Sequence, residues 1–219
     1  MSVPVKICGL KTEEAVDAAL KGGAAYIGFI FFPKSPRNIT PRDAGLLAER
    51  ARGRARTVAV TVNADDALLD EIVAGVKPDY LQLHGKESTE RVAQIKERFG
   101  LPVIKAFAIR EAADLAAVRD YVGVADQLLF DAKPPPGAEL PGGNGVAFDW
   151  SILSGLDGGI DYLLSGGLNA GNISEAIIGT GAPAIDVSSG VEGAPGEKDP
   201  GLIAGFFEAV RRAEQRLPA

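Results

Sequence analysis

Val5-Lys6-Ile7-Cys8-Gly9, at the head of the chain, is an apolar run of strand length that ends on the only cysteine and turns at a glycine. The residues directly after it discriminate between two folds. A doubly wound α/β sheet carries a Gly-x-Gly-x-x-Gly turn after its first strand, whereas here Gly9 leads into Leu10-Lys11-Thr12 without a second glycine, and no Walker-type loop occurs elsewhere. A closed barrel is favoured if enough strands come after the first. Cys8 itself supports two readings: a free cysteine is usually a small buried hydrophobe, and it becomes a proton acceptor only where its pKa is lowered and solvent reaches it.

Working outward, apolar runs of strand length recur along the chain, each followed by a segment with helical spacing, which is the signature of parallel βαβ units. The candidate strands are Val3 to Cys8, Ala25 to Phe31, Thr57 to Val62, Asp79 to Leu83, Pro102 to Phe107, Gln127 to Asp131, Asp161 to Ser165 and Ala184 to Val187. Their repeat of about 26 residues is what a strand, a loop and a three-turn helix require. Eight units predict a closed eight-stranded parallel (β/α)8 barrel, the TIM-barrel architecture, as a single domain over residues 1–219. Thr40-Pro41 with Asp43, Asn172 with Glu175, and Asp199-Pro200 place side-chain oxygens at helix starts. In the last helix, Leu202, Ile203, Phe206, Phe207 and Val210 mark the face expected to be buried.

Composition narrows the function. With 46% hydrophobic and 24% charged residues the chain has material for one sizeable core. A net charge of −6 without a basic run argues against coating nucleic acid or an anionic membrane. One cysteine forms no internal disulfide, and neither a secretion signal nor an apolar run of membrane-spanning length is present, so a cytoplasmic protein is expected. A metal site is not expected from one histidine and one cysteine on different units.

In a barrel, active sites sit at the carboxyl ends of the strands. The polar residues there form a ring: Lys6 and Cys8, Arg37 in the Pro-punctuated second loop, His84, Lys105, Asp131, Gly166-Gly167, and Asp186 with Ser188-Ser189-Gly190. Lys6 and Lys105 read as solvated rim charges, and His84 as either a hydrogen-bonded structural group or a substrate contact. The glycine clusters after strands seven and eight fall where this fold usually binds phosphate, because glycines let backbone N–H groups approach the oxygens. Plain tight turns are the alternative. Asp131 either pins its long loop or, across the mouth from Cys8, serves as a proton donor. That loop, 132–148, carries four prolines and four glycines and reads as a lid, a binding loop or a disordered insert.

Lys6-Ile7-Cys8-Gly9, Gln82-Leu83-His84-Gly85, Asp131 followed by Gly142-Gly143-Asn144-Gly145 and Phe148-Asp149-Trp150, Ser165-Gly166-Gly167-Leu168, and Asp186-Val187-Ser188-Ser189-Gly190-Val191-Glu192 with Gly196-x-Lys198-Asp199 occur in this order along the chain. As a set they resemble the phosphoribosylanthranilate isomerase family. The resemblance implies an Amadori rearrangement of a phosphosugar substrate without metal or organic cofactor, Asp131 as general acid, Cys8 as general base and Arg37 on the anthranilate carboxylate. It also implies that His84 and Asp186 contact substrate, that Gly166, Gly167, Ser188, Ser189 and Gly190 bind phosphate, and that the protein is a monomer or homodimer. Two rivals are another phosphosugar aldose–ketose isomerase, which uses a pair of aspartates where Cys8 stands against it, and a silent phosphate-binding barrel, which could have lost Cys8 or Asp131.

Overall fold

The computed structural model describes residues 2–134, 137, 142, 143, 145, 147–156 and 159–217. Eight parallel strands close into a barrel in chain order: β1 (Val5–Cys8), β2 (Tyr26–Phe31), β3 (Arg56–Thr61), β4 (Tyr80–Leu83), β5 (Val103–Ile109), β6 (Gln127–Ala132), β7 (Tyr162–Leu164) and β8 (Ala184–Val187), the last pairing back onto β1. Each begins and ends within two residues of the stretch expected from sequence. An antiparallel hairpin, β9 (Glu192–Ala194) and β10 (Glu197–Lys198), comes after β8.

Strand alternation sorts side chains between two cores. Outward residues such as Val5, Ile7, Ile27, Phe29 and Ile185 pack under the helices, whereas Cys8, Val58, Val60, Ile104, Ala106, Leu129, Leu163 and Ala184 fill the barrel interior. The same parity turns Lys6 inward, one pleat below Cys8, where it is wholly buried, and Lys105 is buried as well. The expectation of two solvated rim charges is therefore wrong: both ammonium groups have buried carboxylate partners, Asp186 brought to Lys6 by closure of β8 on β1 and Glu87 brought to Lys105 by the pairing of β4 with β5.

The outer layer comprises α1 (Glu13–Gly22), α2 (Pro41–Ala51), α3 (Asp66–Val76), α4 (Thr89–Phe99), α5 (Ile173–Thr180) and α6 (Pro200–Glu214). Thr12, Thr40, Asp65, Ser88 and Asp199 cap their helices through side-chain oxygens that accept backbone N–H groups. Asn172 does not. Its Oδ1 accepts from the Asn169 N–H and its amide donates to the Gly167 carbonyl, so it stitches the loop after β7 instead. On α6, Ile203, Phe206, Phe207 and Val210 are buried as expected, but Leu202 is 45% exposed because it lies at the edge of that stripe.

Two crossovers are not α-helical. Ala112–Tyr121 and Trp150–Gly155 are 3-10 helices. In the first, the side chains turned from solvent, Leu115, Val118 and Tyr121, recur every third residue, which suits three residues per turn rather than 3.6. None of the described helices is long and apolar enough to cross a membrane.

Candidate active site

At the carboxyl ends of the strands a cleft opens to solvent. Cys8, Arg37, His84, Asp131, Gly166, Gly167, Asp186, Ser188 and Ser189 line it, so the barrel brings nine of the ten expected site residues to one space. Gly190 is not among the lining. A Cβ there would collide with the Leu168 carbonyl oxygen, so this glycine presses the turn after β8 onto the loop after β7.

On the β1–β8 side, Lys6 and Asp186 are cross-strand partners and their side chains meet at 2.8 Å. Ser165 donates to the other Asp186 oxygen at 3.0 Å. Above the pair, the Ser188 hydroxyl donates to the Cys8 carbonyl. Burial pushes the Cys8 thiol up from its ordinary value, Lys6 and Lys198 pull it down and Asp186 raises it, with a net upward shift, opposite to the lowering expected of a proton acceptor, because closure of the barrel buries the thiol. Lys6 is held above its ordinary value: burial lowers it, but Asp186 and Cys8 outweigh that.

Across the mouth, Asp131 stands near the end of β6. Its Oδ1 accepts from the Ala132 N–H at 2.9 Å, and its Oδ2 lies 3.4 Å from His84 Nε2. Gln82 Nε2 sits 3.0 Å from His84 Nδ1, and with the amide donating, the His84 proton is on Nε2, facing the carboxylate. A separation of 3.4 Å is long for a hydrogen bond, so Oδ2 retains capacity for a ligand. The Gly142 backbone lies over this pair: a Cβ on it would collide with Asp131 Oδ2. Of loop 132–148, Pro135, Pro136, residues 138–141, Asn144 and residue 146 lie outside the described residues, so its reading as a disordered insert concerns them in part.

Lys105 anchors the loop that carries His84. Its ammonium donates to the carbonyls of Leu83, Gly85 and Ala106 and to Glu87 at 3.0 Å, while Glu87 accepts from the Gly85 and Asn63 N–H groups. Such a filled set of partners is what makes a buried ammonium tolerable.

Arg37 is buried and grips Glu192 with two nitrogens, Nε at 2.7 Å and Nη2 at 2.8 Å, while Nη2 also donates to the Gly143 carbonyl. Lys198 binds the same carboxylate and donates to the Ser188 carbonyl. Two cations on one anion leave a net positive charge at the cleft wall. Sequence reasoning assigned no part to Glu192 or Lys198. Both lie within the motif that carries the family resemblance, on either side of Gly196, the turn of a hairpin whose strands bring them together.

Burial alone would raise the Glu192 carboxyl, but Arg37, Lys198 and the Gly196 N–H hold it at about 2. With the folded value below the unfolded 4.5, this carboxylate stabilises the fold fully above that pH and loses its contribution as pH falls toward 2, by roughly 3 kcal/mol. Urea titrations at about pH 5 and pH 3 are expected to show a smaller acid-induced loss in Glu192→Gln than in the parent protein. Equal losses would remove Glu192 from the acid response.

Gly166 and Gly167 hold left-handed φ angles of 91° and 64°, a conformation that glycine adopts without a Cβ penalty. Among the described residues no protein acceptor takes the N–H groups of Gly166, Gly167, Ser189 or Gly190. The 3-10 turn Ser189–Val191 borders this cradle. Among the described residues no group of three or more His, Cys, Asp or Glu side chains is placed to hold a metal ion.

A closed (β/α)8 barrel with a thiol, a carboxyl and a glycine-rich backbone cradle around one cleft defines a class: acid–base barrel enzymes acting on small phosphorylated substrates. The model of the N-(5'-phosphoribosyl)anthranilate (PRA) isomerase family matches residues 5–209, and the chain belongs to that family. It is 66% identical over 213 residues to the N-(5'-phosphoribosyl)anthranilate isomerase of Brucella canis, covering 97% of this chain and 96% of that one. Phosphoribosyl anthranilate isomerase from Thermotoga maritima superposes with a TM-score of 0.86 at 36% identity, covering 96% of this chain and 99% of that one. A further isomerase structure, in complex with reduced 1-(o-carboxyphenylamino)-1-deoxyribulose 5-phosphate, gives 0.81 at 32% identity over 96% and 99%.

Proposed function

We propose that Asp131 and Cys8 are the general acid and base with which this isomerase of tryptophan biosynthesis converts N-(5'-phosphoribosyl)anthranilate to 1-(2-carboxyphenylamino)-1-deoxyribulose 5-phosphate. The observation that carries the assignment is that both line one cleft with the two glycine-rich loops. Protonated Asp131 gives its proton to the ribose ring oxygen; the C1–O bond breaks and the anilino nitrogen lone pair forms the cationic Schiff base. That cation acidifies the C2 proton, which the Cys8 thiolate removes, and the C–H electrons become the C1–C2 double bond of an enolamine. The enolamine loses its hydroxyl proton, takes one at C1 and becomes the ketone. Exchange with solvent resets the pair.

The net positive cluster of Arg37, Lys198 and Glu192 suits the anthranilate carboxylate, with Arg37 Nη1 left over among the described residues once Nε and Nη2 are engaged. His84 orients Asp131, and Asp186, already tied to Lys6 and Ser165, offers its remaining lone pairs to a sugar hydroxyl. The phosphate takes the N–H groups of Gly166, Gly167, Ser188, Ser189 and Gly190. The reading treats the chain as one domain in which every described site residue comes from the same barrel, so monomer and homodimer serve equally.

A fluorescence assay with purified protein is expected to record consumption of phosphoribosylanthranilate. A folded protein that leaves it untouched would return the chain to the silent phosphate-binding reading. Gly167→Val removes the left-handed turn and is expected to raise KM by about tenfold with kcat changed less, one charge-assisted hydrogen bond being worth about 1.5 kcal/mol or more. An unchanged KM would place the phosphate elsewhere.

A further inference from the structure

We propose that Lys6 is a positioning residue for the reaction: its ammonium, enclosed below the Cys8 thiol and tied to Asp186, is the charge against which the Cys8 thiolate forms. The proposal rests on Cys8 as base. Strand parity puts Lys6 and Cys8 on the same inner face of β1, and Lys6 has no exposed surface. Its chain direction is set by Asp186 at 2.8 Å, and Ser165 pins the far oxygen of that carboxylate.

Gly28 supplies the space. It is the register partner of Cys8 in the interior of β2, where a glycine weakens a strand and marks a close approach. A Cβ at Gly28 would lie 3.1 Å from Cys8 Sγ and 3.2 Å from Lys6 Nζ. Thiol and ammonium therefore border one point, where a Cβ would be tight against both. A buried Lys–Asp pair rarely stabilises a fold more than an apolar pair of the same volume, so stability does not account for placing one directly under a thiol.

The charged groups facing Cys8 are Lys6 from its own strand, Asp186 from β8 and Lys198 from β10, which shares the Glu192 carboxylate with Arg37. Lys6 and Lys198 favour the thiolate, and Asp186 opposes it.

Cys8 is the only cysteine of the chain, so alkylation of the intact protein by iodoacetamide, followed by mass, reports one thiol. Lys6→Met keeps the unbranched stem and removes the charge. It is expected to move the pH midpoint of alkylation up by about one unit or more, to cut kcat near neutral pH about tenfold and to leave KM nearly unchanged. Asp186→Asn is expected to move the midpoint the other way. Because Lys6→Met alone leaves a buried carboxylate unpaired and can unfold the protein, Lys6→Met/Asp186→Asn is measured beside it, with an upward shift again expected. Midpoints that stay within a few tenths of a unit in the folded variants overturn the proposal, and so does a loss of turnover with no shift. A shift as expected, combined with full turnover in Cys8→Ser, overturns the base assignment and Lys6's part in catalysis while leaving the thiol–ammonium coupling measured.

Discussion

Asp131→Asn is expected to fold normally and to lose about 10²- to 10⁴-fold in kcat, with KM changed only a few-fold. The exchange preserves shape. The amide oxygen still accepts from the Ala132 N–H, the bond that sets the side chain at the end of β6, so the cost in stability is about 1 kcal/mol. The variant lacks the proton for the ribose ring oxygen, because an amide donates a hydrogen bond but does not protonate. The phosphate cradle and Arg37 are untouched, which is why binding should survive. Steady-state kinetics on the purified variant decide it: more than about a tenth of the parent turnover would exclude Asp131 as general acid.

Cys8→Ser is expected to cost a similar factor, about 10²- to 10⁴-fold, for the opposite half of the chemistry. A serine hydroxyl ionises far above a thiol and is no base for the C2 proton near neutral pH. The pH profile adds a second measurement. Burial raises the thiol, with Lys6 and Lys198 opposing and Asp186 assisting, and the net shift is upward. A base works deprotonated, so raising its pKa places the ascending limb of kcat/KM on the alkaline side. Turnover of the parent protein should climb as pH rises from about 6 through 9, and Cys8→Ser should lose that limb. A parent profile flat over this range would show that a group other than Cys8 sets the rate.

Much of the fold was legible because it rests on short-range patterns. Apolar runs, the caps at Thr40 and Asp199, and glycines at the turns act over a few residues, and the strand boundaries deduced from them differ from those observed by at most two positions. The helical spacing after β5 was misleading for the same reason: a period of three and a period of 3.6 are hard to separate over ten residues, and the segment is a 3-10 helix. Asn172 carried a cap signature but spends its side chain on the neighbouring loop, a choice decided by where the Gly167 carbonyl lies.

By itself the sequence determined the order of the eight strands, the strand ends on which Cys8 and Asp131 stand, and the two glycine clusters, since each depends on residues adjacent in the chain. Tertiary structure alone decided how the charges are paired. Lys6 meets Asp186 across 180 residues and Arg37 meets Glu192 across 155. Neither contact has a local signature, because it exists only after β8 closes on β1. A lysine that reads as a rim charge becomes a buried ammonium beneath the thiol because closure removes water from around it and supplies the carboxylate that water's loss requires. Val5-Lys6-Ile7-Cys8-Gly9 thus announced a strand and a barrel, and the barrel then determined which groups stand beside its cysteine.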